Sequence, residues 1–314
     1  MKKITECFIC KSKKITFLYF SKDRMFNLPE EFSVKKCLNC SLLFLDPQPS
    51  VELLKKHYPS RSYYSYAKSG KKGFFEILRE YLVEHYYSPN ILSLLISTLI
   101  QNVPAMPLFI ANGKILDVGC GAGDTLVLLK KLGWDVYGID MDSLAIKNAK
   151  EKGLENVSLG TYKDLSKYPN NFFDAIRLYH VIEHIDDPSL CLRFIRQKLK
   201  KGGELVIGTP NASSMVSNVF KSNWYNLDSP RHLVIFSPQN LKNLLKKNEF
   251  IVTKKIEFCS AGGITGSLQY AIEGVFGNKV DLIHNMYAVL LFYPLEWILN
   301  KLGRGDVFVV RARK

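Results

Sequence analysis

The segment Leu116-Asp117-Val118-Gly119-Cys120-Gly121-Ala122-Gly123-Asp124 ends an apolar run and opens a helix-period run. Alternate glycines at a strand-to-helix junction let the backbone turn sharply and approach a ligand closely. The segment also heads a regular series: KILDVG, TLVLLKKLG, DVYGID, SLAIKNAKEKG, NVSLG, FDAIRLYHV, PSLCLRFIRQKLKKGG and ELVIGTP. Short apolar strands alternating with helices predict a parallel sheet covered on both faces, an α/β doubly wound fold. Two later runs, IVTKKIEF (251–258) and DVFVVRARK (306–314), bring the strands to seven and are expected to pair as an antiparallel edge hairpin. Between them lies a long apolar insertion, about 262–303.

The glycine spacing selects the ligand class. Glycines at 119, 121 and 123 give G-x-G-x-G, whereas the dinucleotide fingerprint G-x-G-x-x-G needs glycine at 124, where Asp124 stands. A carboxylate there faces a pyrophosphate badly. Asp117 is placed to hold a cationic ligand group through water or backbone. Asp140, at the end of the next strand, is placed to bind two ribose hydroxyls. Together these suit a nucleoside without phosphates.

On these residues the chain resembles the class I S-adenosylmethionine-dependent methyltransferases. LDVGCGAGD looks like their first motif, GID their ribose-binding acid, GTYKDL their adenine-flanking segment and GGELVIGTPN their fifth-strand motif. The resemblance covers roughly 113–258, with 306–313 as the last strand. It implies a Rossmann-like sheet, S-adenosylmethionine as cofactor, Gly119 and Gly121 beneath the methionine portion, Gly123 and Asp117 also among the cofactor-binding residues, Asp140 on the ribose and Asp164 near the adenine amine. Thr161 departs from the pattern, since many members carry an acid after the glycine.

Methyl transfer needs mainly positioning and water exclusion, because the sulfonium is already activated. A hydroxyl acceptor gains from a general base, for which histidine has the suitable pKa. Tyr179-His180-Val181-Ile182-Glu183-His184-Ile185-Asp186-Asp187-Pro188 follows the fourth strand. His180 there is the candidate base. H-x-x-E-H also spells a zinc metallopeptidase motif, but Asp186-Asp187-Pro188 interrupts the helix that motif requires. A third reading puts a divalent cation on Glu183 and His184, with His180 or His232. It follows from resemblance to ubiquinone-type O-methyltransferases and small-RNA 3′-end methyltransferases, whose E-x-x-E-H segment ligates magnesium; here His180 replaces the first acid. The bland alternative is that Glu183 and His184 cap and orient the turn. Ser229-Pro230-Arg231-His232 looks like the R-H-x-x-x-F-S/T-P segment of bacterial methyltransferases in quinone and cell-surface sugar pathways. Arg231 is the candidate for an acceptor phosphate and His232 for a second base or ligand, against a reading in which both anchor a loop before a Ser237-Pro238 helix start.

Cys7-x-x-Cys10 and Cys37-x-x-Cys40 have the spacing of a zinc ribbon, predicting one structural zinc closed by four thiolates. Residues 1–72 hold 15 basic and 6 acidic residues, +9 of the formal +14. Such charge suits an anionic partner but does not choose among nucleic acid, a phosphorylated acceptor and lipid. Similar ribbons in bacterial sugar and natural-product methyltransferases help cover the acceptor site, which Tyr58, Tyr63, Tyr64 and Tyr66 could line. Residues 73–112 read as one or two helices bridging or lidding the methyltransferase region, 113–314. Their apolar run, Ile91 to Ile100, is about half the roughly 20 residues of a membrane span. MKKITECFIC has no signal core, which places the chain in the cytoplasm. The insertion at Tyr287–Leu302 reads by default as a buried helix kinked at Pro294, and alternatively as a peripheral contact with anionic lipid. The expectation is methyl transfer to a hydroxyl of a small or lipid-linked acceptor, such as a sugar in surface-glycan synthesis. RNA methylation, or a non-catalytic zinc-bearing binding module, is the competing reading.

Overall fold

The computed structural model describes residues 1–58, 74–100, 105–259, 262–277 and 279–314. Tyr63, Tyr64 and Tyr66 lie outside them. The strands are β1 (Ile15–Lys22), β2 (Glu31–Cys37), β3 (Leu43–Leu45), β4 (Lys114–Val118), β5 (Asp135–Asp140), β6 (Val157–Leu159), β7 (Phe173–Tyr179), β8 (Leu199–Pro210), β9 (Val234–Ile235), β10 (Ile251–Phe258) and β11 (Val307–Arg313). The helices are α1 (Val51–Lys56), α2 (Phe74–Glu84), α3 (Ile91–Leu99), α4 (Asp124–Lys131), α5 (Ser143–Glu151), α6 (Pro188–Lys198), α7 (Met215–Phe220), α8 (Pro238–Lys247), α9 (Gly263–Phe276) and α10 (Met286–Lys301).

A seven-stranded sheet runs in the order β10-β11-β8-β7-β4-β5-β6. β4 is parallel to β5 and β7, and β7 to β8, while β11 is antiparallel to both β8 and β10. The predicted edge hairpin is therefore present. Leu116, Ile176, Leu178, Ile207 and Phe308 are fully buried in its core. The strand-to-helix joints carry the expected chemistry. Asp142, Asp187 and Ser237 cap α5, α6 and α8, with Pro188 and Pro238 at the first turns.

The N-terminal strands form a second sheet, β1-β2-β3-β9, whose last strand comes from the methyltransferase region. Leu43 pairs with Ile235 and Phe44 with Val234. Ile4, Cys7, Ile9, Cys37, Leu42 and Phe44 share one core with Leu233, Phe236, Leu241 and Leu244. A break in the sequence near residue 72 is thus not a break in packing. The described residues of the 73–112 stretch hold two helices, α2 and α3. Among the described residues no helix is long and apolar enough to cross a membrane.

The insertion departs from its default reading. α10 does contain Pro294, but Leu290, Leu291, Leu295, Ile298 and Leu302 are 46–74% exposed, with Glu296 and Asn300 buried instead. The reason is local. Glu296 accepts hydrogen bonds from the Gly262 and Ile264 amides (both 2.7 Å), satisfying the N-terminal donors of α9.

Candidate active site

The glycine loop joins β4 to α4. Gly119 and Gly123 have φ of +72° and +78°, the left-handed region. A side chain at 119 would also run into Val181 Cγ2. The H-V-I-E-H segment therefore lies directly over the loop, and this contact joins the two halves of the site. At the end of β5, the Asp140 carboxylate accepts from the Gly121 amide (2.8 Å) and the Asp142 amide (2.9 Å). Burial pushes its pKa up, against those two amides. Its neighbours Met141 and Leu159 are 63% and 57% exposed, an apolar ledge at the carboxyl edge of the sheet that no periodicity reveals. Asp164 is exposed and caps the turn Tyr162–Lys167; the Thr161 amide (2.8 Å) holds it below the usual carboxylate range.

Asp117 is corrected. It is buried and takes Arg177 Nη1 on both oxygens (2.9 and 2.7 Å), from the residue registered beside it on β7. Its charge is matched inside the protein, so it props the loop from below rather than facing a cationic ligand group.

Around Glu183 four elements converge. Glu183 is fully buried; its Oε2 accepts from Thr209 Oγ1 (2.9 Å). Its Oε1 has no hydrogen-bond partner among the described residues, although His180 Nδ1 stands at 3.3 Å and His232 Nε2 at 3.9 Å. Burial works to raise the Glu183 pKa, but the His180 contact and the surrounding imidazoles hold it at about 2. Burial, followed by His184, lowers His232 to about 4, so its ring is neutral at pH 7 and does not supply that attraction there. His232 Nδ1 donates to the Asn226 carbonyl (2.9 Å), leaving Nε2 with its lone pair. His184 Nδ1 sits 2.9 Å from both the Arg231 carbonyl and the Tyr58 hydroxyl. His180 directly follows β7 at φ +55°, its amide donating to the Gly208 carbonyl (2.9 Å), and its side chain is 31% exposed. Of the two candidate bases it is the accessible one, since His232 is buried.

Donor atoms of Glu183, His184 and His232 lie within 4.8 Å of one another. Two imidazoles and a carboxylate match a first-row divalent ion that accepts nitrogen; magnesium, which prefers oxygen, is a poorer match. The orphaned Oε1 of Glu183 is what such an ion would satisfy.

Arg231 is also corrected. Its guanidinium donates to Asp228 (Nε 3.0 Å, Nη2 2.6 Å), to Asp23 (Nη1 2.8 Å, Nη2 3.1 Å) and to the His57 carbonyl (Nη1 3.0 Å). All five N–H groups are used and the side chain is fully buried, which leaves none for an acceptor phosphate. Asp23 is held further by His57 Nδ1 (2.7 Å). Asp23, His57, Arg177 and Thr209 escape sequence reading. Only Asp228, three residues before Arg231, leaves a local signal.

Cys7 Sγ lies 3.4 Å from Cys40 Sγ and Cys10 Sγ lies 3.5 Å from Cys37 Sγ, with all four within 4.8 Å and none in a disulfide. Tetrahedral zinc with bonds of about 2.3 Å sets its sulfurs roughly 3.8 Å apart, so the four residues fit one structural zinc.

Comparisons with known proteins bear on the family of the chain. A family model described as a methyltransferase domain matches residues 90–255, a little over half of the chain. A ubiquinone biosynthesis O-methyltransferase of Xanthomonas oryzae pv. oryzae is 34% identical over 107 residues, covering 32% of this chain and 45% of that one. The corresponding protein of Hahella chejuensis is 26% identical over 187 residues, covering 56% and 76%. The chain thus spans about half the length of the first of these relatives. Among solved structures, a SAM-dependent methyltransferase from Archaeoglobus fulgidus is 22% identical with a TM-score of 0.46, covering 77% of this chain and all of that one. A possible histamine N-methyltransferase from Thermotoga maritima is 20% identical with a TM-score of 0.47, covering 77% and 96%. The glycine loop, the strand-end acid and the matched domain together mean that the chain belongs to the S-adenosylmethionine-dependent methyltransferase family.

Proposed function

We propose that this protein transfers the methyl group of S-adenosylmethionine to a hydroxyl of a small-molecule or lipid-linked acceptor. One observation carries the reading: Val181 packs on Gly119, so His180 and the Glu183 cluster stand beside the loop that would hold the cofactor. The cofactor supplies an activated methyl group, and the chain supplies position and proton traffic. Gly119, Gly121 and Gly123 let the backbone approach the methionine end, Asp140 has oxygens for the ribose, and the acceptor enters over His180. Bound there, the cofactor would give up its methyl carbon to the acceptor oxygen and keep the S–CH3 electron pair on sulfur, and the hydroxyl proton would pass to the imidazole of His180. Glu183, behind Nδ1 at 3.3 Å, orients the ring and stabilises the imidazolium. A divalent ion on Glu183, His184 and His232 would orient a diol acceptor.

The hydroxyl draws support from the O-methyltransferase relatives. A sugar of a surface glycan remains the acceptor class suggested by the R-H-x-x-x-F-S/T-P segment, and cytoplasmic placement at the inner face of a membrane belongs to the same reading. The test incubates purified protein with methyl-labelled S-adenosylmethionine and fractionated bacterial extract. Enzyme-dependent label is expected in the sugar-nucleotide or lipid-linked fraction and should fall at least about tenfold in His180→Ala. Nuclease-sensitive label would move the reading to RNA, and cofactor binding without any label would leave a binding module.

A further inference from the structure

α3 and α10, nearly 200 residues apart in sequence, meet at the C-terminal end of α3. Trp297 Nε1 donates to the Thr98 carbonyl (2.8 Å) and the Tyr293 hydroxyl to the Leu99 carbonyl (2.5 Å), which fastens α10 along the end of α3. On α3, Leu92, Leu95 and Leu99 are 56–65% exposed, and no charged residue occurs between Ile91 and Leu99. On α10, Leu290, Leu291, Leu295, Ile298 and Leu302 fall on one side, within about 140° of arc at 100° per residue. All five are exposed, while Glu296 and Asn300 turn inward. The polarity of this helix is inverted. A water-facing helix buries its leucines and exposes its acid, so leucines outside and acid inside mark a face built for an apolar neighbour.

Charge selects the neighbour. Exposed Lys279 precedes α10, and exposed Lys301 and Arg304 follow it. The exposed acid in this stretch, Asp281, is engaged by His284 Nδ1 (2.9 Å). A second copy would bring the same basic rim, and the same +14, against the first. An anionic bilayer offers both the hydrocarbon and the opposite charge. We infer that the α3–α10 face docks this protein on the surface of an anionic membrane, with the leucines in the acyl boundary and Lys279, Lys301 and Arg304 at the headgroups. This deepens the lipid-linked branch of the proposed function and rests on it only for the acceptor, since binding is read without turnover.

The experiment is co-sedimentation of the full zinc-loaded chain with phosphatidylcholine vesicles and with roughly 2:1 phosphatidylcholine–phosphatidylglycerol vesicles, at low salt. Partition into the mixed vesicles is expected to exceed that into neutral ones by about tenfold, and to drop about tenfold in a Leu291→Glu/Leu295→Glu variant. Lys301→Glu with Arg304→Glu should remove the preference for the anionic vesicles. S-adenosylmethionine affinity, measured by calorimetry, should stay unchanged in both variants, which separates this inference from the catalytic reading. Wild-type protein left in the supernatant with both vesicles would overturn it. So would unchanged partition of the leucine variant, or a dimer in sedimentation velocity that the leucine variant dissociates, which would make a second copy the occupant.

Discussion

Replacing Arg231 with alanine distinguishes an internal clamp from an acceptor-binding residue. In the wild type the guanidinium spends all its donors on Asp23, Asp228 and the His57 carbonyl, with no exposure of its own. After truncation the two carboxylates fare differently. Asp23 keeps the Phe26 amide (3.0 Å) and His57 Nδ1 (2.7 Å). Among the described residues Asp228 keeps only the distant His232 Nε2 at 3.8 Å. Removing one member of a buried ion pair costs about 3–5 kcal/mol, much of a typical domain's 5–15 kcal/mol. The loss should fall chiefly on Asp228 and on the cavity.

The pH dependence supplies a second check. Burial alone raises the Asp228 pKa, but Arg231 outweighs it and holds the carboxyl below its ordinary value. In the wild type that pairing therefore stabilises above the unfolded pKa of about 3.9 and is lost as pH falls through the lower folded value. Without Arg231 the folded pKa of Asp228 lies above 3.9, the penalty is full at high pH, and it shrinks as the group takes up its proton. Urea unfolding at pH 7.5 and 5.5, with zinc retained, should show a gap between the two proteins that narrows at the lower pH. A variant within about 1 kcal/mol of wild type at pH 7.5, yet with methyl transfer abolished, would refute the clamp and return Arg231 to the acceptor.

Gly119→Ala pairs a left-handed backbone with a clash against Val181; it should cost about 1–3 kcal/mol in unfolding experiments and weaken S-adenosylmethionine binding at least about tenfold by calorimetry. Asp306, pushed up to about 6 by burial despite hydrogen bonds from Ser214, Asn226 and Trp224, binds its proton more tightly folded than unfolded, so its contribution to stability declines as pH rises from about 4 to 6. Asp306→Asn should flatten that part of the stability profile, and an unchanged slope would assign it to other groups. Metal analysis should find one zinc per chain, and its removal by chelator should lower Tm and expose the 1–58 segment to protease, because Cys7 and Cys37 sit in the same core as Leu233 and Phe236.

What the sequence shows of this molecule is what depends on neighbouring residues. The glycine loop, the strand-end Asp140, the helix start at Ser237 and the two cysteine pairs are each encoded within a few positions, so turn chemistry and period reveal them. β9 escapes because two residues carry no periodicity and its partner β3 lies some 190 positions away. Arg231 misleads for the same reason. A basic residue next to a histidine after the fifth strand looks free for substrate until Asp23, 208 positions earlier, is seen to occupy it. In α10 the local pattern points the wrong way, because the need of the α9 amides for an acceptor draws Glu296 inward and turns the leucines out.

These long-range contacts decide what the N-terminal region is for. Were it only a zinc-stapled appendage, its loss would leave the site whole. But β3 covers the edge of β9, the strand that follows His232, and an uncovered edge is prone to wrong pairing. Asp23 and His57 complete the shell of Arg231, whose own carbonyl receives His184. The Tyr58 hydroxyl lies 2.9 Å from the same His184 nitrogen. The chain of contacts thus runs from the cysteine cluster through β3 and β9 to the imidazoles beside Glu183. A zinc held by the four cysteines would fix β2 and the turn into β3, and through them the residues that set the ring orientation of His184. In the proposed function the methyltransferase sheet would contribute the cofactor floor and the N-terminal region one wall of the acceptor side, so the site would depend on the pairing of β3 with β9 that joins the two sheets.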